Sequence, residues 1–217
     1  NAAISACGSS GQWQVAVSLL DSMPAARLAC DRISFNAAFR AYNTGRQWEL
    51  AVGLLCRIRG IRISPSAFSY SVCISACASG RAWQTALGLL ADMHATKVAP
   101  SLICCNAAIS ACGSSGQWQV AVSLLDSMPA ARLACDRISF NAAFRAYNTG
   151  RQWELAVGLL CRIRGIRISP SAFSYSVCIS ACASGRAWQT ALGLLADMHA
   201  TKVAPSLICC NAAISAC

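Results

Sequence analysis

The chain has 217 residues, 56% of them hydrophobic and 12% charged, with 18 Lys and Arg against 8 Asp and Glu for a net charge of +10. So apolar a composition suggests a membrane protein, but a membrane span is excluded, because the longest nearly apolar run, residues 102–112, is broken by Asn106 and Ser110 and falls short of the roughly 18 to 20 residues a span needs. No membrane partner is expected; the charge favours a polyanion, or serves to keep an apolar protein soluble.

Every residue from 1 to 112 recurs identically 105 positions later, surface residues included. Selection for a fold alone does not hold solvent-facing residues fixed, so the duplication is recent or deliberate. Inside the 105-residue unit a shorter period emerges, since Trp13, Trp48, Trp83, Trp118, Trp153 and Trp188 are each 35 apart. A 35-residue period predicts a stacked array in which each unit leans on its neighbours. The units are 1–35, 36–70, 71–105, 106–140, 141–175 and 176–210, with a partial one at 211–217, and 106–210 copies 1–105.

Each unit predicts two helices. From Asn1 a shorter first helix carries Ala3, Ile4 and Cys7, "GSSG" turns the chain, and Trp13, Ala16, Val17, Leu20 and Met23 form the i, i+3, i+4, i+7 stripe of a second helix. From Asn36 the first helix carries Phe39 and Tyr42, "NTGR" turns, and Trp48, Ala51, Val52, Leu55 and Ile58 repeat the stripe. From Ser71 come Ile74 and Cys77, the turn "ASGR" and the helix opened by Trp83. Pro65 and Pro100 stand where no helix continues. Alternating β patterns are absent, so the expected fold is an all-α solenoid of helix-turn-helix repeats. Within its apolar stripe each Trp is expected in the core. The sequence has no initiator Met or targeting segment, and it begins and ends inside a first helix without a polar capping repeat. It therefore reads as a fragment whose ends are expected to associate head to tail.

The 15 cysteines include no Cys-x-x-Cys, and the only histidines are His94 and His199. Without ligand spacing or imidazoles no metal or other cofactor is expected; the cysteines read as small buried hydrophobes in a reducing compartment. Cys104 and Cys105, adjacent at a helix entrance, are expected to be the exposed, oxidisable thiols. The acids Asp21, Asp31, Glu49, Asp92 and their copies are too scattered for a metal nuclease. His94 reads as a solvent-facing residue near the negative end of a helix dipole. No catalytic constellation emerges, and the chain is expected not to be an enzyme.

The stretch "ISFNAAFRAYNTGRQWELAVGLLCRIRGIRISPS" has an Asn expected to open the first helix, Ala and Leu-Leu in the second, and Pro just before the closing residue. In this it resembles the pentatricopeptide repeat family. The related tetratricopeptide repeat runs to 34 residues and carries its Trp in the first helix, whereas here Trp opens the second. The resemblance covers the whole chain. It implies a right-handed superhelix that binds single-stranded RNA at one nucleotide per repeat, in organellar RNA processing or stability, and hence a mitochondrion or chloroplast.

The resemblance also implies the site residues. A selector near the start of the first helix and a residue 30 further on, closing the repeat, choose the base. These pairs are Asn1 with Asp31, Asn36 with Ser66, Ser71 with Ser101, Asn106 with Asp136, Asn141 with Ser171, and Ser176 with Ser206. Apolar residues three before the selectors sandwich the base: Ile33, Phe68, Ile103, Ile138, Phe173 and Ile208. Asn donates and accepts at a pyrimidine edge, while a carboxylate only accepts, which suits the N3–H of uracil. By the family's code Asn with Asp reads U, Asn with Ser reads C, and Ser with Ser reads a purine, taken as A, so the implied target is 5′-UCAUCA-3′. The same Asn, Ser and Asp residues are also ordinary helix caps. One departure is that family repeats often carry Lys late in the first helix, where Ser9, Thr44 and Ser79 stand here. Another is Cys30, which replaces the usual Pro before Asp31. The alternative to RNA binding is a protein-interaction scaffold.

Overall fold

The computed structural model describes residues 2–24, 30–61, 63–166 and 168–216. Among these the regular structure is entirely helical, and the chain forms two compact units, residues 1–111 and 112–217. The first unit holds α1 (Ala2–Ser9), α2 (Trp13–Ser22), α3 (Arg32–Thr44), α4 (Trp48–Gly60), α5 (Ala67–Ser79) and α6 (Trp83–Ala95). The helix α7 (Leu102–Ser114) includes the last residues of the first unit and the first of the second. Then come α8 (Trp118–Ser127), α9 (Arg137–Thr149), α10 (Trp153–Gly165), α11 (Ala172–Ser184), α12 (Trp188–Ala200) and α13 (Leu207–Ala216).

Odd- and even-numbered helices form two layers. In the first unit α3 packs against its flanking second helices α2 and α4 and against the first helices α1 and α5. In the second, α11 does the same with α10, α12, α9 and α13. Small residues let the first helices approach closely: Ala38, Ala41 and Ala76 have no exposed surface, and a Cβ on Gly8 would lie 3.2 Å from that of Ala41. Phe39, Tyr70, Ile74, Leu55 and Met93 fill the space between layers with at most 1% of their surface exposed.

The first helices begin earlier than the repeat register suggests. Asp31 caps α3 by accepting at Oδ1 from the backbone N–H of Ser34 at 2.8 Å, and the Ser34 hydroxyl faces the Asp31 N–H in return. Ser66 and Ser69 close the same reciprocal box on α5, and the copies at Asp136 and Ser171 repeat both. Asn36 is therefore the fifth residue of its helix rather than its opening, and α3 and α5 span 13 residues like α4 and α6. The expectation of a shorter first helix is corrected for these two repeats. Among the second helices it is α2 and α8 that are short, at 10 residues, and they stop before Pro24 and Pro129, residues with no N–H to extend the ladder.

Each hairpin turn is closed by a residue in the left-handed region. Gly11 and Gly116 hold it at φ 78°, but Arg46, Arg81, Arg151 and Arg186 hold the same place at φ 54° to 56°. The N–H of Gln47 then reaches back to the Tyr42 carbonyl at 2.8 Å, tying off the end of α3.

The cysteines divide by position. Cys73, Cys77, Cys112, Cys178 and Cys182 are buried, as expected, whereas Cys56, Cys161 and Cys210 are exposed. Cys104 is fully buried and Cys105 half-buried, which corrects the expectation that this pair is the exposed one. The reason is helix phase. Cys104 stands third in α7, where Ser34 and Ser69 stand in α3 and α5, and that place faces inward in all three.

Candidate functional site

One face of α3 gathers two residues that the family resemblance implied, Ile33 and Asn36, and a third that it did not, Arg40. Ile33, Asn36 and Arg40 follow one another at spacings of three and four, and with Ala2, Ser5 and Ala37 they line a cleft of about 320 Å³ between α1 and α3. Ile33 keeps 63% of its surface exposed, and Ile103, Ile138 and Ile208 keep 63% to 66% at the equivalent place. An isolated exposed Ile is ordinary. Here the same side chain stands open at the same helical position in four repeats. Phe68 and Phe173, which fill that position in the third and sixth repeats, are half-buried.

The selector positions differ in their hydrogen bonding. The Oδ1 atoms of Asn36 and Asn141 are buried without a partner, a state that costs free energy until a donor arrives. Asn106 is 8% exposed on α7, and Asn1 lies outside the described residues. The hydroxyls of Ser71 and Ser176 donate to the carbonyls of Phe68 and Phe173 at 2.8 and 2.9 Å. Their proton is thereby committed, and their lone pairs remain to accept.

The closing residues Asp31, Ser66, Asp136 and Ser171 are the helix caps already described. Ser101 and Ser206 stand at the same place, each accepting at Oγ from the backbone N–H of Cys104 or Cys209 at 3.4 Å. Ser66 caps α5, which packs directly against α3, the helix that carries Asn36. Capping geometry is thus real at these residues, as their chemistry alone suggested.

The tryptophans stand away from this face. Trp13 is half-buried, 6.1 Å from the Tyr42 ring, and packs over Gly45. Trp48 and Trp153 lie over Gly80 and Gly185 in the same way. They seal the seams between neighbouring hairpins rather than the deep core, because opening a second helix puts each beside the turn of the next hairpin. His94 and His199 are exposed in the last turns of α6 and α12. Among the described residues no group of His, Cys, Asp and Glu side chains could hold a metal ion, and no helix is long and apolar enough to cross a membrane.

Much of the positive charge on the second helices is tied between repeats. Arg57 pairs with Asp21 at 2.6 Å, and Arg59 pairs with Asp92 while also donating to the buried Tyr70 hydroxyl; the copies Arg162 and Arg164 repeat this with Asp126, Asp197 and Tyr175. Arg40 and Arg145 are different. Each is exposed, and its guanidinium lies over an aromatic ring of the next first helix, Arg40 at 5.2 Å from the centroid of Phe68 and Arg145 at 5.1 Å from that of Phe173. Sequence reasoning passed over both, although a residue four after Asn36 necessarily shares its helical face.

Stacked helix pairs of fixed length, each capped at the first helix and sealed by Trp at the second, define a helical-repeat protein. Two sequence models place it further: the PPR repeat matches residues 1–28, 103–133 and 173–201, and the pentatricopeptide repeat domain matches 58–115, together more than half of the chain. The chain belongs to the pentatricopeptide repeat family. No curated protein is recognisably similar to it in sequence.

Solved structures share the fold. The pentatricopeptide repeat protein PPR10 from maize superposes with a TM-score of 0.61 at 19% identity, over 97% of this chain and 35% of that one. PPR10 has also been crystallised in complex with an 18-nt psaJ RNA element. Nuclear proteinaceous RNase P 2 from A. thaliana gives 0.69 at 13% identity, over 80% of this chain and 39% of that one. The PPR domain of Arabidopsis thaliana protein-only RNase P 1, solved in complex with tRNA, gives 0.68 at 11% identity, over 80% of this chain and 91% of that domain. The chain thus spans about a third of the length of the maize protein.

Proposed function

We propose that the chain binds single-stranded RNA as one array of repeats over residues 1–217, one nucleotide to each repeat, with 5′-UCAUCA-3′ as its preferred target. The observation that carries this is the cleft on α3, where the unpartnered Asn36 Oδ1 stands between exposed Ile33 and Arg40. An apolar face, a polar edge and a cation at spacings of three and four are what a base and its phosphate need. The net charge of +10 supports a polyanionic ligand, and the complexes of PPR10 and of the RNase P 1 domain with RNA support the ligand class. The reading is of a binding protein and not of a catalyst, acting in organellar RNA processing or stability in a mitochondrion or chloroplast.

Fluorescence anisotropy with labelled 5′-UCAUCA-3′ and a scrambled RNA of the same composition, at two salt concentrations, tests it. Preference for the ordered hexamer by tenfold, about 1.4 kcal/mol, is expected. The double variant Asn36→Ala, Asn141→Ala should erase that preference. Equal binding of both RNAs, lost at the higher salt, would reduce the reading to a basic surface.

Self-association as a protein-interaction scaffold built from helical repeats is the second reading. Sedimentation across a hundredfold concentration range separates the two readings.

A further inference from the structure

We propose that Arg40 and Arg145 are RNA phosphate clamps, held in position by the Phe68 and Phe173 rings. The inference rests on the RNA-binding reading above and adds residues that neither the selector pairs nor the sandwich positions include.

Three observations converge on these two side chains. Arg40 lines the same cleft as Ile33 and Asn36, one turn further along α3. Its guanidinium carbon lies over the ring of Phe68, the sandwich position beside the third selector, at 5.2 Å from the centroid, and that of Arg145 lies over Phe173 at 5.1 Å. Neither has a carboxylate partner among the described residues, whereas Arg57 and Arg59 are each paired with an aspartate. The charge on this face is therefore unneutralised, while much of that on the second helices is not.

The geometry of stacking decides what such a cation can do. A guanidinium lying on an aromatic ring uses its π face and leaves its N–H edge free. That edge presents donors in a fixed fork that matches two phosphate oxygens. Stacking also removes much of the rotamer freedom that a free Arg would lose on binding. Arg40 lies between Asn36, the second selector, and Phe68, beside the third, so its fork addresses the phosphate joining those two nucleotides. The same device recurs at Arg145 and Phe173, between the fifth and sixth repeats. It also supplies, one turn earlier, the cation missing at Thr44 and Thr149 near the ends of α3 and α9.

The test is the salt dependence of RNA affinity for the full chain. For a single strand the slope of log affinity against log salt is about 0.7 per neutralised phosphate. The double variant Arg40→Gln, Arg145→Gln should lower the slope by roughly 1.4 and weaken all RNA sequences by the same factor, leaving discrimination between 5′-UCAUCA-3′ and its scramble intact. Arg57→Gln with Arg162→Gln removes the same charge elsewhere and should leave the slope unchanged. Both variants should keep the parent's circular dichroism and urea midpoint, since all four residues are exposed. An unchanged slope in the Arg40 variant, with discrimination retained, overturns the clamp and leaves RNA binding standing. Loss of preference at one nucleotide without a change in slope overturns it too, by making Arg40 a base reader. Absence of any RNA binding by the parent chain overturns both.

Discussion

The indole of Trp48 lies so close over Gly80 that a Cβ there would come within 2.1 Å of Cδ1. Gly80 ends α5 and Trp48 opens α4, so the contact closes the seam between two successive hairpins. An added methyl must displace the indole, and Gly80→Ala should cost roughly 1–3 kcal/mol. Gly53, in the middle of α4, has nothing within 4 Å of its Cβ position. There Ala gains helix propensity without a clash, so Gly53→Ala should stabilise by roughly 0.5–1 kcal/mol. Urea unfolding of the two variants beside the parent should move the midpoint in opposite directions; a shift of the same sign in both would mean that the Trp seam contributes nothing.

Capping and the proposed base selection fall on the same closing residues, and a substitution can separate them. Ser66→Asp with Ser171→Asp keeps a good cap, because Asp31 and Asp136 already serve in that role. Stability should change by less than about 0.5 kcal/mol. Preference at the second and fifth nucleotides should move from C to U, since a carboxylate accepts from the N3–H of uracil and meets only a lone pair on cytosine. Competition binding of 5′-UCAUCA-3′ against 5′-UUAUUA-3′ reads the outcome, and an unshifted ratio would leave Ser66 a cap alone.

Tyr70 stands in a hydrogen-bonded group that joins α4, α5 and α6. Its hydroxyl receives Arg59, donates to the Asp92 carboxylate at 3.2 Å and lies 3.2 Å from the Thr96 hydroxyl, while its ring is fully buried. Tyr70→Phe removes the shared atom and should cost roughly 1–2 kcal/mol. The Arg57–Asp21 pair is exposed on both sides, so Asp21→Asn should cost under about 0.5 kcal/mol. Thermal or urea midpoints of these two single variants should rank in that order.

Buried thiols make the fold sensitive to alkali. Burial pushes the Cys77 and Cys112 thiols from 9.0 up to about 11. A raised acid keeps its proton in the folded chain after the unfolded chain has released it. Stability is therefore complete below pH 9 and declines as pH climbs from 9 towards 11. The urea midpoint under reducing conditions should fall between pH 8 and pH 10, and Cys77→Ala should shrink that fall. Maleimide labelling at pH 7.5 should mark Cys56, Cys161 and Cys210 well before Cys77 or Cys182, because the reagent reaches exposed thiols, while burial shields the other two and holds their protons.

The repeat period, the helical hairpins and the Trp register were all legible, because an apolar stripe of period 3.6 survives in every unit and the six tryptophans are evenly spaced. The start of each first helix was not. Its capping box lies wholly in the last five residues of the preceding repeat unit, and Ser34, fully buried at the N3 position, looks in sequence like a loop residue. The same hidden phase misdirected the reading of Cys104. At the candidate site Ile33 and Asn36 were picked out through the family resemblance. Arg40 escaped because cations were sought late in the first helix, and its role depends on Phe68, which is 28 residues away in sequence and adjacent only once α3 packs on α5.

The identity of residues 1–112 with 106–217 has a consequence for binding phase. If each repeat reads one nucleotide, a period of three repeats is a period of three nucleotides, and no contact made by one copy distinguishes it from the other. An RNA shifted by three nucleotides meets the same selectors, the same isoleucines and the same Arg–Phe stack. On a run of one trinucleotide the chain then has many overlapping sites of equal energy and slides among them in steps of three. On that reading half of it would hold while the other half lets go, and it would sense the length and phase of a repeat tract rather than a single address.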